Sequence, residues 1–395
     1  MKSEPIIVIG AGVSGLTSAT VLQILGYNTR IIAKNTYQSV DNKEEHPEFA
    51  SLFPAASIIP HATYSEQLSA LFKHSQSFFS TLYEKHFPGV DIHKHFEIFE
   101  EPREWPIYQK WMQGFKSIEN ADSAVPRPAY ADPVFGWEFI CLFVEWPRYF
   151  SALTDLYRKL GGAIKQHSLR AEDISNLPSQ TIINCSGVGT ASLFEDPGDE
   201  QRIMRGHLLH KEGAKPLTNH EGMSISYNYT PRSAIYSSAN GKACDVYLYP
   251  RQDGWVIGGS REPGHLVNGE FEPSAIDQNL KHYHINSYAI PAPMVDLNRD
   301  ILQHAYGIEL GDAYTLKSNL GYRYIRNYNK EIRLSKEEIK NKKIIHNYGH
   351  GGAGVTLSWG CALEVAHLVV GKSTHELIDD IQNEFDHRHL TGLDF

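Results

Sequence analysis

The chain has 395 residues, of which 41% are hydrophobic and 21% are charged, a composition typical of soluble globular proteins. This length is sufficient for two domains, or for one large discontinuous domain with a substantial core. The formal net charge of -9 argues against a general nucleic-acid-binding protein, because such a protein needs a basic surface to neutralise phosphates.

Cysteine usage and the lengths of the apolar runs predict the compartment. Cys141, Cys185, Cys244 and Cys361 lie far apart without a metal-binding spacing, so we expect reduced thiols in an intracellular protein and no metal site. No apolar run approaches the length of a membrane span, and the N-terminal apolar segment is too short for a signal peptide. Residues 390–395 do not form the peroxisomal S-K-L signal. The sequence therefore predicts a cytoplasmic protein that binds neither membrane nor nucleic acid.

The chain opens with a predicted strand, turn and helix. Residues 6–9 have the composition of a buried strand, and Gly10, Gly12 and Gly15 follow at the spacing G-x-G-x-x-G. Apolar residues at helical spacing continue over 13–25. The first glycine permits a tight turn, the second lets a pyrophosphate approach the backbone, and the third lets the helix pack closely on the strand. Because the helix N-terminus presents N–H groups and a positive dipole end, the pattern predicts a dinucleotide-binding site.

The second predicted strand, residues 28–33, ends differently from the usual dinucleotide-binding pattern. In that pattern an acidic residue at the end of the strand binds the ribose. Lys34 and Asn35 occupy the position here, so the sequence leaves the ribose contact open.

The middle of the chain changes to a predominantly β pattern. After a polar loop over 35–48, the small and apolar residues of 49–60 suit either a segment packed against a flat group or a simple buried loop. The segment 86–133 shows little periodicity and is assigned to a second domain. The other predicted elements are helices over 65–85, 146–160, 274–288 and 297–307, and strands over 137–145, 163–164, 181–184, 203–209, 224–229, 246–249 and 255–258. The close spacing of the strands after residue 202 predicts an antiparallel sheet.

A second strand, glycine-rich turn and helix are predicted near the C-terminus, over 343–348, 349–354 and 355–370. Two such turns at opposite ends of one chain suit a long ligand. One helix N-terminus would face a pyrophosphate, and the other a second electron-rich group such as a flavin carbonyl.

The C-terminal turn and helix resemble those of a known family. Residues 346–365, His-Asn-Tyr-Gly-His-Gly-Gly-Ala-Gly-Val-Thr-Leu-Ser-Trp-Gly-Cys-Ala-Leu-Glu-Val, resemble the C-terminal signature of the D-amino acid oxidase/D-aspartate oxidase family. Shorter matches occur in the family order, at 10–15, 184–188, 205–207, 247–250, 258–261 and 321–326. The resemblance covers nearly the whole chain, apart from 35–48 and much of 86–135.

The resemblance implies a FAD-dependent enzyme of mixed α/β and α+β class. Its Rossmann-like FAD-binding domain is discontinuous and is expected over 1–62, 139–201 and 317–395. A substrate domain with an antiparallel sheet is expected over 63–138 and 202–316. The sequence leaves the oligomeric state open, with a homodimer as one alternative.

The residues expected to contact FAD lie in the two glycine-rich turns, the 49–60 segment, the end of the second strand and the turn after residue 184. They are Gly10, Gly12, Val13, Ser14, Gly15, Lys34, Asn35, Ala50, Ser51, Ala56, Ser57, Ser186, Gly187, Arg323, Gly349, Gly351, Gly352, Ala353, Gly354, Val355 and Thr356.

The implied reaction is the oxidative deamination of a D-amino acid, with hydride transfer from Cα to flavin N5. Molecular oxygen then gives hydrogen peroxide, and the products are a 2-oxo acid and ammonia. By the resemblance, Arg323 binds the substrate carboxylate through a bidentate fork, Tyr247 hydrogen-bonds the same carboxylate, and the Gly352 carbonyl accepts from the amine. The family's second active-site tyrosine has no clear counterpart, and Tyr236 and Tyr229 are the candidates.

Several of these roles have alternatives that the sequence leaves open. Arg323 also suits an ordinary ion pair, and Tyr247 also suits simple packing beside Tyr249 on one strand face. Ala353 stands where the family often has an aromatic residue. The alternative functions are an oxidase or dehydrogenase of glycine or another small amine, and a flavin-binding protein without catalysis.

Arg261, in the motif Gly-Gly-Ser-Arg, resembles an arginine of family members with acidic substrates. We hypothesise that it pairs with a side-chain carboxylate, which would favour D-aspartate or D-glutamate. The alternative is a surface arginine paired with Glu262 or another neighbour.

Overall fold

The computed structural model describes residues 4–61, 63–118, 125–196, 202–238, 240–274, 279–326 and 332–387. In chain order its strands are β1 Ile6–Ile9, β2 Thr29–Ala33, β3 Val90–Phe99, β4 Gln113–Ile118, β5 Phe135–Val144, β6 Ala163–Gln166, β7 Thr181–Asn184, β8 Arg202–Glu212, β9 Ile225–Thr230, β10 Val246–Arg251, β11 Gly254–Gly258, β12 Glu262–Val267, β13 Glu270–Pro273, β14 His282–Ile285, β15 Tyr288–Pro291, β16 Lys317–Ile325, β17 Arg333–Ile339 and β18 Lys342–Tyr348. Its α-helices are α1 Val13–Ile24, α2 Leu68–Glu84, α3 Trp146–Lys159, α4 Thr190–Leu193, α5 Ala292–Tyr306, α6 Ser358–Val370 and α7 Thr374–His387. Within these ranges, no helix has both the length and the apolar character needed to cross a membrane. Residues 390–395, which do not form the peroxisomal signal, lie outside the described residues.

The first sheet is mainly parallel and has the order β17-β18-β7-β1-β2-β6 among the described residues. Strand β1 pairs in parallel with β2 and β7, whereas β17 runs antiparallel to β18. All four residues of β1 are buried, as expected for a strand that is covered on both faces. Helix α1 packs against β2, α3 and α6.

The second sheet has the order β13-β12-β8-β11-β10-β9-β3-β5-β4, and β16 also pairs with β8. Its described pairs are antiparallel except for β3 and β9, which are parallel. Helix α5 packs against β10 and β11. The predicted combination of a Rossmann-like sheet with a mainly antiparallel sheet is confirmed.

Some local predictions differ from the structure. The predicted helix over 274–288 is wrong where the chain is described, because 282–285 and 288–291 form the hairpin β14–β15; residues 275–278 lie outside the described residues. Over so short an apolar run, periodicity does not separate helix from strand. Helix α5 begins earlier than predicted, with a proline in its first turn, and α6 begins at Ser358 because the glycine-rich turn extends further.

The sequence indicates no element in 86–133, yet β3 and β4 lie there. Strand β3 buries His93, His95 and Glu97 on alternate positions. Because these buried side chains are polar, the hydrophobic alternation that identifies a strand is absent. Residues 119–124 of this segment lie outside the described residues.

The predicted division into domains differs from the sheet membership at two points. The boundary after residue 138 falls inside β5, which pairs with β3 and β4 of the second sheet. Residues 317–325, assigned to the FAD-binding part, form β16 and pair with β8 of the second sheet. A strand's own sequence does not identify its partner, because pairing depends on neighbours that are distant in the chain. Sheet membership does not test a division into domains, so the predicted division stays a prediction.

Candidate functional site

A cavity of about 200 Å³ lies where the N-terminus of α1 meets the second sheet. Its walls come from Val13, the segment 50–59, strands β10 and β16, and the turn over 351–356. Residues from both ends of the chain therefore meet around one space.

The N-terminus of α1 is shaped for the close approach of another group. Its N-cap, Gly12, provides no side-chain cap, and the Val13 N–H donates to Ser51 Oγ at 2.9 Å. A Cβ at Gly15 would overlap the carbonyl oxygen of Gly10. Gly10 has a φ of +106°, which favours glycine. The glycines therefore keep the turn compact and add no side chains of their own at the helix end, where Ser51 is the side chain that contacts the Val13 N–H. This arrangement fits the pyrophosphate of a dinucleotide, which the helix dipole attracts.

His350 joins the two glycine-rich turns. Its Nδ1 lies 3.4 Å from Ser14 Oγ, although the two residues are 336 positions apart, and its Nε2 lies 2.9 Å from Asn347 Oδ1. Asn347 Nδ2 donates to Ser18 Oγ at 3.1 Å, which returns the network to α1. Burial lowers the pKa of His350 to about 4, so the ring is neutral near physiological pH. One hydrogen-bonded unit thus fixes the relative position of the two turns.

The segment 50–59 forms one wall of the cavity. Ala55, Ala56 and Ser57 line the cavity with small side chains, and Ala56 has a φ of +117°, a conformation that a non-glycine residue rarely adopts. The Thr356 hydroxyl donates to the Ile59 carbonyl at 3.1 Å and ties the segment to the C-terminal turn. Of the two sequence interpretations, this placement favours a segment packed against a flat group.

Arg323 and Tyr247 meet on the cavity wall formed by β10 and β16, where Arg323 donates a hydrogen bond to the Tyr247 hydroxyl. Two glycines make room for them. A Cβ at Gly206 would lie 2.8 Å from Arg323 Cζ, and a Cβ at Gly258, directly across from Tyr247, would overlap its ring. Arg323 Nη1 also donates to the Ser260 carbonyl at 3.4 Å. The guanidinium and the phenol therefore face the cavity as a pair that can hold a carboxylate.

A buried carboxylate, Glu97, lies behind the cavity wall, with only 4% of its side chain exposed. Its Oε1 lies 2.8 Å from His61 Nε2, 3.1 Å from His95 Nε2 and 3.0 Å from the donor Asn228 Nδ2. We call these four residues the Glu97 cluster. His61 and Asn228 line the cavity, and the Tyr249 hydroxyl donates to Asn228 Oδ1 at 2.5 Å.

The Glu97 cluster favours the protonated form of His61 at the cavity. Burial by itself raises the pKa of Glu97, but the charge and hydrogen bonds of His61 and His95 outweigh it and lower the pKa to about 2. Burial by itself lowers the pKa of His61, but the Glu97 carboxylate outweighs it and raises that pKa above its ordinary value. The sequence analysis missed this cluster, and the period-two spacing of His95 and Glu97 was the available signal.

Arg261 also lines the cavity, where it forms an ion pair with Asp245. A third of its side chain, 33%, is exposed, whereas Asp245 exposes 12%. Glu262, which the sequence suggested as a partner, pairs instead with Arg205 at 2.6 Å. The acidic partner of Arg261 is therefore part of the site itself.

Other histidines are neutralised by their surroundings. Burial lowers the pKa to about 3 for His93 and to about 4 for His207, His346 and His350; we call these four, which do not include His95 of the Glu97 cluster, the buried histidines. In the part of the chain that the structure describes, no group of His, Cys, Asp and Glu side chains is arranged to hold a metal ion.

Many of the residues predicted from the sequence meet at the cavity. Those that line it are Arg323, Tyr247, Arg261, Val13, Ala50, Ser51, Ala56, Ser57, Gly351, Gly352, Gly354, Val355 and Thr356. Those outside its lining are Gly10, Gly12, Ser14, Gly15, Lys34, Asn35, Ser186, Gly187, Gly349, Ala353 and Tyr236.

Neither candidate for the second tyrosine lines the cavity. Tyr236 is buried outside the lining, and the hydroxyl of Tyr229 donates to Glu100. Tyr249 lines the cavity instead and stacks on Tyr247, with ring centroids 4.8 Å apart. The two tyrosines share a strand face because side chains two residues apart point the same way.

At the end of β2, Lys34 and Asn35 contact other groups of the protein. The Lys34 carbonyl accepts from Gln166 Nε2 at 3.1 Å, and Asn35 Nδ2 lies 3.2 Å from His46 Nδ1. Their predicted contacts with the cofactor stay predictions.

Comparison with known proteins gives consistent matches over nearly the whole chain. The family model described as FAD dependent oxidoreductase (DAO) matches residues 5–368. A D-amino-acid oxidase of Rubrobacter xylanophilus is 26% identical over 368 residues, which are 92% of this chain and 94% of that protein. A D-aspartate oxidase of Homo sapiens is 26% identical over 390 residues, 93% of this chain and 95% of that protein. The crystal structure of glycine oxidase from Geobacillus kaustophilus has the same fold, with a TM-score of 0.63, 15% identity, and coverage of 94% of this chain and 96% of that one.

Proposed function

The chain belongs to the DAO family of FAD-dependent oxidoreductases, and on that premise we propose that it oxidises D-amino acids to 2-oxo acids, ammonia and hydrogen peroxide. The observation that carries the proposal is the Arg323–Tyr247 pair, which faces the same cavity as Gly352 and the small-residue wall at 55–57. An amino acid oxidase needs this combination of a carboxylate-binding fork and a nearby backbone acceptor.

FAD, when bound, supplies the hydride acceptor and the electrons that reduce oxygen. The N-terminus of α1, with Gly10, Gly12 and Gly15, would hold its pyrophosphate. The small residues of 55–57 and the turn at 351–356 would contact its ring system.

The remaining roles belong to the chain's own side chains and backbone. Arg323 binds the substrate carboxylate through two parallel N–H donors, and the Tyr247 hydroxyl donates to the same group. The Gly352 carbonyl accepts a hydrogen bond from the substrate amine. These contacts leave the substrate one orientation, and no protein base is required to remove a proton from carbon. Because the amine must be neutral for its lone pair to form the C=N bond as hydride leaves Cα, turnover is expected to rise with pH until the bound amine is deprotonated.

A second candidate is the oxidation of glycine or another small amine. The fold that the chain shares with glycine oxidase from Geobacillus kaustophilus keeps this candidate open. The non-catalytic alternative is disfavoured by the arginine fork, which a purely structural flavin site does not need.

The visible spectrum of the purified protein tests these functions together. A yellow protein whose colour is bleached without oxygen by D-amino acids, but not by L-amino acids or glycine, supports the proposal. Bleaching by glycine in preference to every D-amino acid favours the second candidate. The control is Arg323→Leu, which should keep its FAD and lose bleaching at low substrate concentration. A protein that binds FAD but is bleached by none of these substrates would refute the proposal.

A further inference from the structure

The charged groups around the cavity form matched pairs. Among the described residues that line it, the charged side chains are His61, Asp245, Arg261 and Arg323. Arg261 pairs with Asp245, and His61 pairs with Glu97 directly behind it at 2.8 Å. Arg323 makes contacts with a carbonyl and a phenol, so it is the cation left for a substrate carboxylate.

This pattern matches the charge of one class of substrate. With its amine neutral, an amino acid with an uncharged side chain carries a single negative charge, on the α-carboxylate. That charge is balanced by Arg323. A second carboxylate would have to take Arg261 from Asp245, or His61 from Glu97. Either exchange removes a partner from a largely buried carboxylate: Asp245 would lose its ion pair, and Glu97 would keep only its contacts with His95 and Asn228, which is unfavourable.

We infer that Asp245 is a specificity-determining residue that neutralises Arg261, so that the enzyme prefers D-amino acids with uncharged polar side chains to D-aspartate and D-glutamate. This inference rests on the proposed function and narrows its substrate class. It assigns to Arg261 the role of a hydrogen-bond donor held by Asp245, rather than that of a free cation for an acidic side chain. The wall that would face the substrate's side chain then offers donors and acceptors from Arg261, Asp245 and Asn228.

D-asparagine and D-aspartate are the natural probes because they have nearly the same shape and differ in charge. We expect the FAD-loaded wild-type enzyme to have a kcat/KM for D-asparagine about tenfold or more above that for D-aspartate. In Asp245→Asn, Arg261 loses its anionic partner, so the ratio of D-aspartate to D-asparagine should rise about tenfold or more. Measuring both substrates on one preparation cancels differences in folding or FAD content.

Glu262→Gln is the matched control. Glu262 is next to Arg261 in sequence and forms an ion pair with Arg205, but it does not line the cavity. Its removal should leave the substrate ratio unchanged, and an equal shift in Glu262→Gln and Asp245→Asn would overturn the inference.

The outcomes separate this inference from the proposed function. A wild-type enzyme that is active but prefers D-aspartate to D-asparagine refutes the role of Asp245 and leaves the proposed function intact. An unchanged ratio in a folded, FAD-containing Asp245→Asn variant does the same. Absence of turnover with every D-amino acid tested would refute the proposed function and the inference with it. If Asp245→Asn does not fold, the wild-type comparison alone decides.

Discussion

The space that Gly206 leaves for Arg323 allows a direct test of the substrate site. Gly206 lies opposite Gly321 in the β8–β16 pair, and a Cβ there would lie 2.8 Å from both Cζ and Nη2 of Arg323. Ordinary contacts between such atoms are about 3.5–4.0 Å, so in Gly206→Ala the guanidinium must move by roughly 1 Å. The φ of Gly206 is outside the range that requires glycine, and the group displaced is the end of a flexible side chain. The fold should therefore survive while the carboxylate fork is misplaced.

The expected loss follows from the bond that is disturbed. A hydrogen bond to a charged group contributes about 1.5–3 kcal/mol, which corresponds to a fall in kcat/KM of about 10- to 150-fold. Steady-state peroxide production with a D-amino acid measures this, and flavin absorbance reports whether FAD is retained. Gly189→Ala is the control, because Gly189 has a φ of -65° that alanine adopts without strain, its Cβ would lie 3.6 Å from Ser186 Cβ, and it does not line the cavity. Wild-type kcat/KM in a fully FAD-loaded Gly206→Ala enzyme would show that the Arg323 position is not critical.

Further predictions concern the cofactor turn, the Glu97 cluster and pH. In Gly15→Ala the new Cβ overlaps the Gly10 carbonyl, so we expect about 1–3 kcal/mol of destabilisation and loss of bound FAD. The loss of FAD is measured as a loss of flavin absorbance, and a variant that purifies with full FAD would contradict this prediction. Glu97→Gln should lower the free energy of unfolding by about 3–5 kcal/mol, because it leaves His61 and its neighbours without a buried anion. Denaturant titration measures this loss. The control is Glu138→Gln, which breaks the partly exposed pair of Glu138 with Lys94 and should cost about 1 kcal/mol or less. Equal losses in the two variants would contradict the stabilising role of Glu97. The buried histidines have folded-state pKa values below their ordinary value of about 6.5. As the pH drops from about 6.5 towards 4, the unfolded chain therefore binds protons before the folded protein does. The free energy of unfolding then falls by up to about 1.4 kcal/mol per pH unit for each histidine. Thermal unfolding midpoints should decline over this range. A constant midpoint would mean that these rings bind protons as readily in the folded state as in the unfolded chain.

Much of the cofactor site could be predicted from sequence because its determinants are local. Gly10 shapes the first turn through its positive φ, and Gly15 leaves room for the Gly10 carbonyl. Gly349 and Gly351 have a positive φ in the second turn. Arg323 and Tyr247 were identified through motifs that resemble a known family, and both line the cavity. Gly206 and Gly258 lie in these motifs, and the structure shows that they leave space for Arg323 and Tyr247.

The substrate side depended on contacts between distant strands. Asp245, rather than Glu262, became the partner of Arg261, although Glu262 is adjacent in sequence. Glu97 joined the cavity wall through β3, whose buried polar residues removed the pattern by which strands are found.

The sequence by itself therefore determined the two glycine-rich turns, the family and the arginine that faces the cavity, because short-range backbone requirements leave a signature in glycine spacing and motif order. Only the tertiary structure decided which charges around the cavity are free and which are already paired. An ion pair depends on strand register and on burial, and neither is encoded in the residues next to the charge.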